Sequence, residues 1–214
     1  MATRLALWNN ALGELGHNRL SDTGEPTPAA RELVAVHDQV VAECLSVGSW
    51  NFAMETIKAD ADTGVTPEFG YPEVFAKPAD WLRTIGVSLD ENFAYPLLHY
   101  YDDSTFWSAD STPIYVRYVS DDTGMGLDLS RWPAAFTRYV ELALAERVCL
   151  RVTQSNNLKA EVQKSLKDAK TMALNQDAMN EAQPKFPPPS SWTVARWGSS
   201  GGRRDRGSRG NLTG

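Results

Sequence analysis

Apolar residues recur at three- and four-residue spacing in four stretches of the chain, which is the spacing that places side chains on one face of an α-helix. The first stretch predicts a helix over about residues 3–15, ended by Gly16. The second predicts a helix that begins at Pro28, is capped by Thr27 and is closed by Gly48. Each is expected to bury one apolar face.

The two later helical stretches differ in how much of their surface is apolar. The third is apolar on more than one side, so neighbours are expected to cover it from several directions. Ser130 is predicted to cap it, with Pro133 in its first turn. The fourth opens at Ser155 or Asn156 and pairs one apolar stripe with a charged side. That pattern is typical of a surface helix packed by one face.

Between the second and third helices, over roughly residues 51–120, the pattern changes to short runs rich in aromatic and β-branched residues. Turn clusters rich in Asp and Gly separate these runs. The predicted strands cover residues 53–59, 72–75, 84–88, 95–101 and 114–119. One short helical turn is predicted from Pro78 to Thr84. The runs together indicate one small antiparallel sheet.

These elements predict an α+β protein: a four-helix bundle with a small antiparallel β-rich insertion between helices 2 and 3, and an extended C-terminal tail. The bundle is expected to comprise residues 1–50 and 121–183, and the insertion residues 51–120. The tail comprises residues 184–214, where Phe186-Pro187-Pro188-Pro189 predicts stiff polyproline. A Gly-, Ser- and Arg-rich end follows, a composition that alone favours disorder.

Composition and charge limit the function classes. At 214 residues, with 42% hydrophobic and 22% charged residues, the chain can bury a full core. Its net charge is −6, which disfavours wholesale binding to DNA. The tail end carries four Arg and one Asp, a charge of +3, so the remainder carries −9.

No membrane-spanning or secretory segment is predicted from the sequence. No apolar run approaches the eighteen residues of a membrane-spanning helix, so no membrane partner is expected. The N-terminal apolar run is interrupted by two Asn and does not resemble a secretory signal. Cys44 and Cys149 fall in predicted helices and are expected to be reduced core thiols, which favours folding in the cytoplasm.

No motif has the spacing of a catalytic or metal-ligating site. The three histidines, His17, His37 and His99, are not spaced as metal ligands, and His37 is expected to pack in helix 2. Asp60-x-Asp62-x-Gly64 resembles the start of a calcium loop, but its Gly comes one position early and Tyr71 replaces the bidentate Glu. No catalytic residue, metal or cofactor is therefore assigned.

Six short motifs follow one another along residues 1–183. They are Trp50-Asn51-Phe52-Ala53, Pro67-Glu68-Phe69-Gly70-Tyr71, Lys77-Pro78-Ala79-Asp80-Trp81-Leu82-Arg83, Tyr118-Val119-Ser120-Asp121-Asp122, Trp132-Pro133-Ala134-Ala135-Phe136 and Leu142-Ala143-Leu144-Ala145. In order and spacing they resemble the tail tubular protein A family of short-tailed bacteriophages (podoviruses), the head-to-tail adaptors. The Arg/Gly-rich end beyond residue 183 matches no pattern of that family.

The resemblance implies a structural protein of the virion rather than an enzyme. Such adaptors form a homo-oligomeric ring, a dodecamer, between the portal protein of the filled capsid and a tail nozzle protein of the tail tubular protein B type. The ring leaves an axial channel through which double-stranded DNA passes during ejection. The implied location is the tail or neck of the virion, after synthesis in the bacterial host cytoplasm. An acidic body suits such a conduit because it repels phosphates.

Aromatic and basic side chains outside the predicted core are candidate partner contacts, because Trp, Tyr and Arg dominate interfaces. The candidate contacts to the tail nozzle are Phe69, Tyr71, Phe106 and Trp107. The candidate contacts to the portal are Trp192, Arg196, Trp197, Arg203, Arg204, Arg206 and Arg209. The alternative for the two tail tryptophans is that they fold back on their own helices.

Two other function classes stay open at this point. A tail-associated carbohydrate-degrading enzyme needs two carboxylates facing each other across a cleft, and the candidates are Asp102, Asp103, Asp110, Asp121 and Asp122. The last two precede Gly124 and are expected to stabilise a turn instead. A nucleic-acid-binding factor could act through the basic C-terminal tail.

Overall fold

The helices assemble around one long apolar helix near the end of the chain. The computed structural model describes residues 3–65, 67 and 70–180. Its α-helices are α1 (Arg4–Glu14), α2 (Pro28–Val47), α3 (Ala134–Thr153) and α4 (Asn156–Asn180). α1, α2 and α4 each make their main helix contact with α3. Burial of α3 on several sides confirms the prediction from its wide apolar surface.

The sequence signals for helix starts hold at α2 but not at α3. Thr27 caps α2, since its hydroxyl accepts from the Ala30 N–H at 3.2 Å. α3 begins one residue after Pro133 and has no side-chain cap. The predicted cap at Ser130 is wrong, because the Ser130 hydroxyl donates to the Asp128 carboxylate at 2.7 Å and belongs to the preceding turn.

Six strands lie between α2 and α3 in the described chain. They are β1 (Met54–Ala59), β2 (Glu73–Ala76), β3 (Trp81–Ser88), β4 (Tyr101–Asp102), β5 (Phe106–Ala109) and β6 (Ile114–Ser120). They form two antiparallel three-stranded sheets: an inner sheet in the order β1-β6-β3 and an outer sheet in the order β2-β5-β4. The single sheet predicted from the sequence is therefore wrong.

Two further predictions for this region are wrong. β3 begins at Trp81, so the helical turn predicted from Pro78 to Thr84 is wrong; Trp81 already pairs with Ser120 of β6. The predicted strand over 95–101 is mostly a loop, because the Asp90 carboxylate accepts from the N–H groups of Asn92, Ala94 and Tyr95 and curls the backbone. Only its last residue reaches a strand.

The inner sheet contributes to two separate cores. The helix core contains residues of all four helices together with Trp50, Ala53 and Val119. The sandwich core lies between the two sheets and consists of Ala59, Phe75, Val87, Trp107, Ala109, Ile114 and Val116. β6 supplies side chains to both, since alternate residues of a strand point to opposite faces.

This arrangement overturns the predicted fold class. The chain is not a four-helix bundle with a β insertion: three helices pack on a central fourth, and the inner sheet completes their core. Leu82 and Ile85 of β3 pack against the helix core from the sheet side. The helices alone leave this side open, so apolar strand residues close it. The extended tail predicted for residues 184–214 lies outside the described residues.

Candidate docking groove on the outer sheet

A groove of about 460 Å³ lies on the face of the outer sheet that points away from the sandwich core. Strand residues form one wall, and Val65, Pro67, Gly70 and Tyr71 contribute to the other. Its lining includes Val65, Tyr71, Val74, Tyr101, Phe106 and Ser108. The groove is mainly apolar, and three of these side chains are aromatic.

Strand alternation places these side chains on the outward face. In β5, Trp107 and Ala109 are fully buried in the sandwich core, so Phe106 and Ser108 point the opposite way. The register then aligns Ser108 with Val74 of β2 on one side and with Tyr101 of β4 on the other. A continuous row of outward side chains therefore crosses all three strands.

Described residues between β1 and β2 lie against the outer sheet. The Asp62 N–H donates to the Val74 carbonyl at 2.7 Å, which ties the start of this segment to β2. Near its other end, Gly70 has φ of +92°, a conformation that side chains rarely adopt. Val65 remains 39% exposed and Tyr101 61% exposed, so the groove keeps apolar surface in water.

Thr84 joins the two sheets behind the groove. Its hydroxyl oxygen accepts from the indole N–H of Trp81 at 3.0 Å and from that of Trp107 at 2.8 Å. Trp81 belongs to the inner sheet and Trp107 to the outer sheet. One threonine oxygen therefore uses both lone pairs to bridge the sandwich.

A buried lysine strengthens the same connection. The Lys77 side chain is 3% exposed, and its ammonium lies 3.3 Å from the ring centre of Trp81 and 5.4 Å from that of Trp107. It also donates to the Asp102 carboxylate and to the Asp103 carbonyl. Cation–π contacts and charge-assisted hydrogen bonds together compensate its burial. We call Lys77, Trp81, Thr84, Asp102 and Trp107 the Lys77 cluster.

The structure separates the predicted nozzle contacts. Tyr71 and Phe106 both line the groove. Trp107 is 0% exposed and supports the groove from behind. Phe69 lies outside the described residues, as do all the predicted portal contacts: Trp192, Arg196, Trp197, Arg203, Arg204, Arg206 and Arg209.

Sequence reasoning missed Tyr101 as a groove residue. The exposed tyrosine stands at the end of the run 95–101, which the sequence predicts as one strand. The run Phe106-Trp107-Ser108-Ala109 has no regular alternation of apolar and polar residues, so the sequence gives little local signal for β5 or for its outward face. That run is only four residues long, close to the lower limit for detection.

Three of the carboxylates considered for catalysis, those of Asp102, Asp103 and Asp122, take part in local hydrogen bonds. The Asp122 carboxylate accepts from the Gly124 N–H at 2.7 Å, which confirms its predicted role in a turn. Asp102 belongs to the Lys77 cluster, and the Asp103 carboxylate accepts from the Ser104 N–H at 2.6 Å. Burial, followed by the nearby Asp80, raises the pKa of Asp121.

Asp80 is a structural acid that sequence reasoning did not single out. Its carboxylate accepts from the Tyr118 hydroxyl at 3.1 Å and from the Ser120 hydroxyl, while its carbonyl accepts from the Asp121 N–H at 2.9 Å. Burial, with Asp80 and Glu55 nearby, raises the pKa of Tyr118. These contacts hold the end of β6, where the chain leaves for α3.

His37 is the buried histidine of α2, as predicted, and it is 7% exposed. The Trp8 indole N–H donates to its Nδ1 at 3.2 Å. Burial lowers the pKa of His37 from 6.5 to about 4, and the positive charge of Arg4 adds to this, while Asp38 opposes it. The imidazole is therefore neutral in the folded protein above about pH 4.

Acid is expected to destabilise the protein through His37. As the pH falls below 6.5 the unfolded chain binds a proton there, whereas the folded chain does not until about pH 4. Neutral His37 therefore contributes about 3 kcal/mol to the free energy of unfolding above pH 6.5. This contribution is lost as the pH falls from 6.5 to 4. Urea unfolding across this range measures it. His37→Gln keeps an acceptor for Trp8 but cannot titrate, so its stability should fall less steeply; equal slopes would contradict the prediction.

Other classes of site are not found in the described part of the chain. Within residues 3–65, 67 and 70–180, no three His, Cys, Asp or Glu side chains are grouped as metal ligands. None of the helices described there has the length and apolarity to span a membrane. Cys44 and Cys149 are buried and unpaired, and burial raises the pKa of the Cys44 thiol to about 12.

Comparison with known proteins adds no assignment: no protein-family model matches this sequence, and no curated protein matches it.

Proposed function

We propose that the protein is a structural head-to-tail adaptor of a podovirus virion. In this role it forms a homo-oligomeric ring between the portal and the tail nozzle, and DNA passes through the ring. The proposal does not require a catalytic site. It rests on the order of the six motifs along residues 1–183 and on one structural observation, the groove of the outer sheet.

The groove supports an assembly role because it has the composition of a protein-binding surface. Tyr71, Tyr101 and Phe106 line a concave site that is otherwise mainly apolar. Aromatic side chains that remain partly exposed are enriched where proteins bind one another. The strands beneath are joined across the sandwich by Thr84 and Lys77, and a rigid support of this kind reduces the entropic cost of binding.

We assign the two partners to different parts of the chain. The groove contacts the nozzle protein, with Tyr71 and Phe106 as its central residues. The C-terminal tail, with Trp192, Trp197 and its arginines, contacts the portal. Both assignments place the protein in the neck of the virion.

Reconstitution with the purified portal and nozzle proteins tests the proposal. Phe106→Ser is expected to weaken nozzle binding at least tenfold, because a buried aromatic anchor contributes about 2 kcal/mol or more, and to leave portal binding unchanged. Met179→Ser is the matched control, since Met179 is 85% exposed on α4, away from the outer sheet. Sedimentation measures the complexes. If wild-type protein binds neither partner, the adaptor function is wrong; if Phe106→Ser loses only portal binding, the orientation is reversed.

A further inference from the structure

We infer that the groove binds an extended, basic segment of its partner, with apolar side chains in the groove and Lys or Arg side chains facing an acidic surround. The inference rests on the proposed function for the identity of the partner, but its chemistry follows from the groove itself. Apolar floor, aromatic walls and unbalanced negative charge each define one property of the occupant.

The stretch of the sequence that contains the outer sheet is strongly acidic, and one of its carboxylates, Asp103, lines the groove. Residues 60–110 contain ten carboxylates and only two cations, Lys77 and Arg83, a net charge of −8. The net charge of this stretch is thus more negative than that of the whole chain, which is −6. A basic segment is attracted by such a field, which raises its rate of association.

Neither cation of this stretch is available to an incoming partner. Lys77 is bound to Asp102 within the Lys77 cluster. The Arg83 guanidinium donates to the carbonyl of Val47 at 3.1 Å, at the end of α2. Carboxylates such as Asp103 at the groove and Asp62 beside β2 are therefore not neutralised by these two cations. An acidic partner would meet repulsion without compensation.

The aromatic walls favour an extended chain. Tyr71, Tyr101 and Phe106 stand around a shallow concave site on a sheet face, and grooves lined by aromatic rings are typical binding sites for polyproline-like segments. Such a segment is already extended before it binds, so little conformational entropy is lost. Alternate apolar side chains can then enter the groove while basic ones project toward its acidic surround.

Three fluorescein-labelled synthetic peptides of equal length test these properties separately. The first repeats Lys-Pro-Phe, the second Glu-Pro-Phe and the third Lys-Pro-Ser. Fluorescence anisotropy with the full-length protein is expected to show binding of the first peptide, at least tenfold weaker binding of the second, and loss of binding of the third. Added salt should weaken the first complex, because exposed charge pairs are screened.

Substitutions locate the binding site. Phe106→Ser and Tyr101→Ser are each expected to weaken the Lys-Pro-Phe complex at least fivefold, and Asp103→Asn to weaken it at low salt only. Tyr101 is 61% exposed, so Tyr101→Ser is expected to keep the fold intact. It therefore tests the groove even where Phe106→Ser fails to fold. Met179→Ser should bind as the wild type does.

Several results would overturn the inference. These are equal binding of the acidic peptide, no binding of any peptide, and unchanged binding by both groove variants. A change of oligomeric state in Tyr101→Ser would identify the occupant as a second copy of the chain instead. Peptide binding without binding to portal or nozzle would reject the adaptor function alone, whereas Phe106-dependent nozzle binding without peptide binding would reject this inference alone.

Discussion

Replacing Thr84 with valine is expected to lower the free energy of unfolding by roughly 2–4 kcal/mol, because two indole N–H groups lose their acceptor at once. Trp107, one of the two donors, is fully buried and cannot turn to water instead. Valine matches threonine in shape, so lost packing contributes little. Urea unfolding measures the change, and the fluorescence of the two indoles should change with it.

The matched control is Thr84→Ser, which keeps the hydroxyl and removes only a methyl group. Its expected cost is about 1 kcal/mol. A valine variant as stable as the serine variant would show that the indole hydrogen bonds to Thr84 contribute nothing to the sandwich.

Replacing Gly126 with alanine is expected to be still more damaging, at about 3 kcal/mol or more. A Cβ at this position would lie 2.0 Å from the Ser120 carbonyl oxygen. That atom belongs to the backbone of β6 and cannot move aside as a flexible side chain would. The Trp132 indole N–H also donates to the Gly126 carbonyl at 2.8 Å, so a shift of this loop breaks a second contact. Thermal unfolding or the yield of folded protein reports the loss.

Gly13→Ala provides the contrasting substitution. Gly13 lies in α1, and a Cβ there would meet no atom within 4 Å. Alanine is the better helix former, so this variant should gain about 0.5–1 kcal/mol. If both variants lose stability equally, crowding at Ser120 is not the reason for glycine at position 126.

The helices were accessible from the sequence because their signals are local. Repeated apolar spacing together with Thr27 before Pro28 is enough to place α2 correctly. Strand pairing has no comparable signal. β2 pairs with β5 about thirty residues later in the chain. The residues of either short strand do not indicate which other strand it pairs with. The division into two sheets, and the contribution of the inner sheet to both cores, therefore could not be predicted from the sequence.

The candidate site shows the same limit at the level of single residues. Aromatic content marks Phe106 and Trp107 equally, yet one lines the groove and the other is fully buried. Their difference comes from the alternation of a strand, which requires β5 to be recognised first. Tyr71 could be selected from its aromatic loop, whereas Tyr101 and Val74 become its neighbours only through the pairing of β2, β5 and β4.

Strand β6 has a mechanical consequence for a protein that is pulled from two ends. Its seven residues span about 20 Å, with Ile114 anchored between the sheets and Val119 among the helices. Neighbouring strands hold it on both sides, so traction along it is shared by two ladders of hydrogen bonds. A force applied along β6 would therefore be carried by packed side chains in both cores as well as by the hydrogen bonds to β1 and β3.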